Sequence, residues 1–137
     1  TGPEQVIEFA HGYTYSGHPL ACAAGLAALD VYRDEGLFER ARSLAPAFEA
    51  ALHSLQGLPH VIDIRNVGLM GAIELEPRPG LPTARAMDVF RHCFDQGVLV
   101  RITGDTVALT PPLVIEQGQL DEIVTAIKDI IQQIAPD

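Results

Sequence analysis

The chain has 137 residues, 47% hydrophobic and 20% charged, the balance of one folded domain rather than a disordered tail. Eighteen acidic residues against nine basic ones give a net charge of −9 at pH 7. Such a balance repels phosphate backbones and anionic lipid surfaces, so no nucleic-acid or membrane partner is expected. No apolar run approaches the ~18 residues of a membrane span. The chain opens Thr1-Gly2-Pro3 without a Met, which predicts a piece of a longer gene product. Cys22 and Cys93 stand alone, without a CxxC or Cys/His cluster. No metal site is predicted, and two buried thiols of a cytoplasmic protein are expected.

Residues 1–18 read as an irregular segment bearing Gly, Tyr and His. Pro19 suits a first helical turn, with Ser16 or Gly17 as candidate cap. From Leu20 to Arg33 the residues are small and apolar on almost every face, which predicts a helix buried on several sides. Gly36 fits its C-terminal cap. A second helix is predicted from Leu37 to Leu55, striped by Leu37, Ala41, Leu44, Phe48, Leu52 and Leu55. Pro46 within it should kink or restart it.

The period then changes to two. Val61, Asp63 and Arg65 alternate with Ile62, Ile64 and Asn66, a strand with one wet face. Gly68 and Gly71 bracket a turn or bulge, and Ala72 to Leu75 return. Pro77, Pro79, Gly80 and Pro82 mark a loop. Thr83 is the candidate N-cap of a helix carrying Ala86, Met87, Phe90, Cys93 and Phe94, closed by Gly97. Val98-Leu99-Val100-Arg101 and Thr106-Val107-Ala108-Leu109 predict a hairpin about Gly104-Asp105. The last helix keeps one stripe of Leu120, Ile123, Val124, Ile127, Ile130, Ile131 and Ile134. The order predicts an α+β fold, a small antiparallel sheet covered by helices. A domain seam is expected in the all-apolar helix near 20–33.

Few residues point to chemistry on their own. Gly68-Leu69-Met70-Gly71 lacks the third glycine of a dinucleotide loop. His11 and His18 lack a second cluster to complete a metal site, and Ser16 beside His18 lacks a nucleophile-elbow pattern. Asp63 and Arg65 share a strand face as a rim ion pair. Arg101 ends an apolar strand beside a Thr-Gly-Asp turn, where its planar fork suits a carboxylate or phosphate. Gly12-Tyr13-Thr14-Tyr15-Ser16-Gly17 offers hydroxyls and backbone amides to an anion. Lys128 sits at the margin of the last apolar stripe among polar residues, snorkelling toward water.

Three separated stretches together resemble a known family. His11-Gly12-Tyr13-Thr14-Tyr15-Ser16-Gly17-His18-Pro19 with Ala21-Cys22-Ala23-Ala24-Gly25-Leu26-Ala27 is similar to the segment after the active-site lysine of class III aminotransferases. These are pyridoxal-phosphate enzymes of fold type I. Val61 to Ile73, then Val100-Arg101 and Gly104-Asp105-Thr106, resemble the ω-amino acid–pyruvate branch. The resemblance covers nearly the whole chain and implies an inter-domain segment with a long connecting helix over 1–35, leading into a C-terminal small domain over 36–137.

The resemblance implies that Thr14, with the backbone of Tyr13, binds the cofactor phosphate of the neighbouring subunit in a homodimer or higher homo-oligomer. It implies that Arg101 holds the carboxylate of the amino or keto acid and swings aside for substrates lacking one. The lysine that carries the cofactor, and the aspartate on its pyridine nitrogen, precede this segment in the family, so no catalytic residue is expected here. The chain is expected to be silent alone. Rival expectations are a non-catalytic interaction module, or a class III specificity for 4-aminobutyrate, a diamine or an aminomutase substrate.

Overall fold

A computed structural model describes residues 12–134, which form two units that meet between Gly36 and Leu37. His11 of the first motif lies outside the described residues.

The first unit holds a turn and one helix, α1 (Pro19–Asp34). Pro19 takes the first helical position as predicted, but the N-cap is His18 rather than Ser16 or Gly17. Its Nδ1 accepts a 3.4 Å hydrogen bond from the Ala21 amide. Gly36 follows the C-cap with φ +60, the left-handed value glycine adopts without strain. No α1 residue is buried within the described chain. Leu20 is 74% and Leu26 65% exposed.

The second unit begins with α2 (Leu37–His53), one continuous helix that runs through Pro46 without restarting. Pro46 sits on the exposed side, where its missing N–H costs least, while Leu37, Phe48 and Leu52 bury the opposite face. Leu55 joins the core from the turn after the helix. Four strands follow: β1 (Val61–Val67), β2 (Met70–Leu75), β3 (Arg101–Thr103) and β4 (Thr106–Leu109). All neighbours are antiparallel, in the order β1-β2-β4-β3. Helices α3 (Ala84–Asp95) and α4 (Gln117–Gln133) complete the layer with α2. The fold is α+β, as the sequence predicts.

Period two divides the sheet into two faces. Ile73, Leu75, Val107 and Leu109 are buried in the core with Val89, Cys93, Leu120, Val124 and Ile127. The other face carries Asp63, Arg65, Val67, Met70, Ala72, Glu74, Arg101, Thr103, Thr106 and Ala108, none of them buried. A register shift between Val61 and Asp63 leaves Ile62 58% exposed, departing from the clean alternation.

Several local details depart from the sequence reading. The strand predicted over Val98–Arg101 starts only at Arg101, because Val98 follows the closing turn of α3. There the Val98 amide donates to Cys93 and the Gly97 amide to Phe94, a Schellman closure. Thr83 is the N-cap of α3 but gives no side-chain cap. Phe94 is 62% exposed, and a charge, Arg85, takes a core position on the buried stripe. Arg85 Nε donates 2.9 Å to the Glu76 carbonyl. Arg40 from α2 donates to the carbonyls of Leu113, Val114 and Ile115 and so fixes the entry to α4.

The thiols split. Cys93 is buried, but Cys22 on α1 is exposed rather than buried. Burial pushes the Cys93 thiol up to about 11, since an apolar surround disfavours the thiolate. Thiol-reactive probes at pH 8 are therefore expected to label Cys22 rapidly and Cys93 only on unfolding, read by mass spectrometry. The folded pKa lies above the unfolded value of 9.0, so this group destabilises the fold as pH rises from 9.0 toward about 11 and is neutral below. Rapid labelling of Cys93 in folded protein would contradict its burial.

Candidate functional site

Two regions, one in each unit, present groups suited to anions. The first is the turn before α1. The Ser16 amide donates to the Tyr13 carbonyl at 2.9 Å and the His18 amide to Tyr15 at 3.1 Å. Gly17 takes φ +75, which lets the chain turn into the helix. Tyr13, Thr14 and Ser16 are exposed, and Tyr15 stacks on His18 with ring centroids 5.9 Å apart. The Tyr13 amide donates to Ser16 Oγ at 2.7 Å. A hydroxyl oxygen thus stands where an anion's oxygen would be accepted. No acidic residue occurs from Gly12 to Leu29, so the local donor set is hydroxyl, amide and imidazole only.

The second region is the open face of the sheet. Register places Arg65, Ala72, Ala108 and Arg101 in one cross-strand row over β1, β2, β4 and β3. The two arginines differ in what they touch. Arg65 donates to Asp63 at 2.5 Å and to Glu74 at 2.8 Å, and these hydrogen bonds raise its pKa further above the ordinary guanidinium value. All three side chains are 39–53% exposed, so the cluster adds little stability. Arg101 is exposed as well, but among the described residues it forms no ion pair. In a chain of net charge −9, a guanidinium left without a carboxylate is available to one from outside. The sequence reading put Arg101 at the end of a strand. The structure puts it at the start of β3, with the two alanines of the row beside it leaving its reach unobstructed.

Lys128 is exposed on α4, and no group of three or more His, Cys, Asp or Glu among the described residues could hold a metal. No described helix is long and apolar enough to cross a membrane. Sequence reasoning read Asp105 only as a turn residue and missed its carboxylate contact with the Thr83 amide at 2.6 Å. That partner lies 22 residues away, beyond any local pattern.

Comparison with known proteins agrees over nearly the whole chain. The class-III aminotransferase family matches residues 1–131. An omega-aminotransferase of Caulobacter vibrioides is 55% identical over 97% of this chain and 30% of its own length. A beta-alanine–pyruvate aminotransferase of Pseudomonas aeruginosa is 47% identical over 97% of this chain and 30% of its own length. Among solved structures, the PMP-bound form of an aminotransferase from Vibrio fluvialis is similar at a TM-score of 0.80 and 33% identity, covering 94% of this chain and 30% of that one. The chain thus spans about 30% of the length of the relatives it matches. Aminotransferases of this class depend on pyridoxal phosphate. With the fold, the turn before α1 and the open sheet face all in accord, this chain belongs to the class-III aminotransferase family.

Proposed function

We propose that this chain is the C-terminal part of an aminotransferase that moves an amino group from an ω-amino acid or amine to pyruvate. It works in the cytoplasm as a homodimer or higher homo-oligomer. The names of the bacterial relatives support the substrate reading. The observation that carries the role of this chain is Arg101, exposed on the open sheet face with no acidic partner among the described residues.

Each region has a task. The Thr14 hydroxyl and the Tyr13 amide donate to the phosphate of the neighbouring subunit's pyridoxal phosphate, and Ser16 yields the place its hydroxyl holds on that amide. The donor set fits: it is free of carboxylates and already satisfied by an oxygen acceptor. When bound, the cofactor supplies the electron sink that makes amino transfer possible. Arg101 holds the substrate carboxylate by a charge-assisted fork and so orients the reacting end. Lys128 is exposed to water and lacks the desolvated surround a reactive amine needs, so this chain supplies binding and orientation but no lysine for chemistry.

The expected result for the isolated 137-residue chain is therefore no turnover. Pyridoxal phosphate, an ω-amino donor and pyruvate are mixed with it, and alanine formation is followed by chromatography. Pyruvate-dependent alanine above the cofactor-only control would overturn the assignment of a purely binding role.

A further inference from the structure

Arg101 lies on the lighter arm of its hairpin: β4 is paired on both sides and buries Val107 and Leu109, whereas β3 is the outer strand. Strand β3 has three residues, lies at the sheet edge and pairs with β4 alone. Only Ile102 points to the core, half-buried. The turn joining β3 to β4 is two residues, Gly104 at φ +58 and Asp105. Arg101 stands three residues before Gly104 of that turn, roughly 10 Å along the strand at the usual rise. A pivot at the turn therefore displaces the guanidinium across the sheet face.

One residue fastens that turn on two sides. The Asp105 carbonyl accepts from the Leu75 amide at 2.9 Å, at the end of β2. Its carboxylate Oδ1 accepts from the Thr83 amide at 2.6 Å, at the N-cap of α3. Thr83 takes φ +71, a left-handed conformation that a β-branched residue keeps only where its surroundings hold it. The loop that ends at Thr83 is itself fixed. Arg85 binds the Glu76 carbonyl, and Arg78 pairs with Asp88 of α3 at 2.5 Å. Asp105 thus ties the edge hairpin to the loop before α3, and the strain at Thr83 marks the tie.

We propose that Asp105 is a positioning residue for Arg101: its contact with the Thr83 amide sets where the guanidinium meets the substrate carboxylate. Asp105 itself never touches substrate. The inference rests on the reading of Arg101 as the carboxylate-binding group.

The test uses the complete aminotransferase containing this chain. The readout is the ratio of kcat/KM for a keto-acid acceptor to that for an aldehyde acceptor without a carboxylate. This ratio is independent of how much enzyme is folded. Asp105→Ala is expected to lower it about tenfold, mostly through KM for the keto acid, as a misplaced positioning group does. Asp105→Asn keeps the Oδ1 acceptor and is expected to restore the ratio to within about twofold. Should Asp105→Ala not accumulate as folded enzyme, Asp105→Ser carries the same test with a side chain too short for Thr83. An unchanged ratio, or equal losses with both acceptors, would overturn the positioning role. Arg101→Ala in the same assay separates the two readings. If it too leaves the ratio unchanged, the Arg101 assignment has failed, and with it this one. If it lowers the ratio while Asp105→Ala does not, only the Asp105 inference is lost.

Discussion

Replacing Arg101 by Ala in the complete enzyme is expected to lower kcat/KM for carboxylate-bearing substrates by about a hundredfold. Amines and aldehydes without a carboxylate should change by less than about threefold. The size follows from the chemistry: a hydrogen bond to a charged group contributes ~1.5–3 kcal/mol, and each ~1.4 kcal/mol is tenfold in rate. Lysine at this position keeps the charge but loses the planar fork, so Arg101→Lys should fall between the two. Because Arg101 is exposed and supports no other described side chain by an ion pair, its loss should leave the melting temperature nearly unchanged. Equal loss for both substrate classes would remove Arg101 from its role.

The largest effect on stability is expected from Gly71→Ala. Gly71 lies in β2 beneath α2, and an added Cβ would meet Leu52 Cδ2 at 2.6 Å and Phe48 Cζ at 2.9 Å. Both neighbours are buried, at 0% and 1% exposure, so neither can swing into solvent. Overpacking of this kind costs ~1–3 kcal/mol. In a domain of about a hundred residues, that lowers the melting temperature by roughly 5–15 °C. Leu52→Ala in the same chain opens the space the new methyl needs, so the double variant should be less destabilised than the sum of the two singles. Strict additivity, measured by thermal or urea unfolding, would refute the close approach.

What the sequence discloses and what it hides divide along range of interaction. Pro19 at a helix start, Gly36 and Gly97 after helix ends, and the Gly104-Asp105 turn are signals read within four residues, and all appear in the fold. The stripe of α4 is equally local: Leu120, Val124, Ile127, Ile130 and Ile131 are buried. Pro46 does not restart the helix, because backbone propensity is outweighed by the burial of Phe48 and Leu52 on the opposite face. Composition showed that α1 is apolar, but composition does not contain its partner. Arg85 could not be read as a core residue, since its burial depends on the Glu76 carbonyl. Of the candidate site, the residue types at Tyr13, Thr14 and Arg101 were legible. The Ser16 hydroxyl on the Tyr13 amide, and the Asp105 contact across 22 positions, were not.

The two-faced sheet also protects the chain against its own commonest folding error. A strand that pairs one residue out of step exchanges its inward and outward side chains. For β3, that slip would drive Arg101 toward the core and bring Ile102 out to water; for β2, it would send Ala72 and Glu74 inward in place of Ile73 and Leu75. Burying an unpaired guanidinium or carboxylate costs several kcal/mol, so misregistered sheets are rejected by the charges on the open face. The polar row that stays outside the core is thus also what holds the sheet in register.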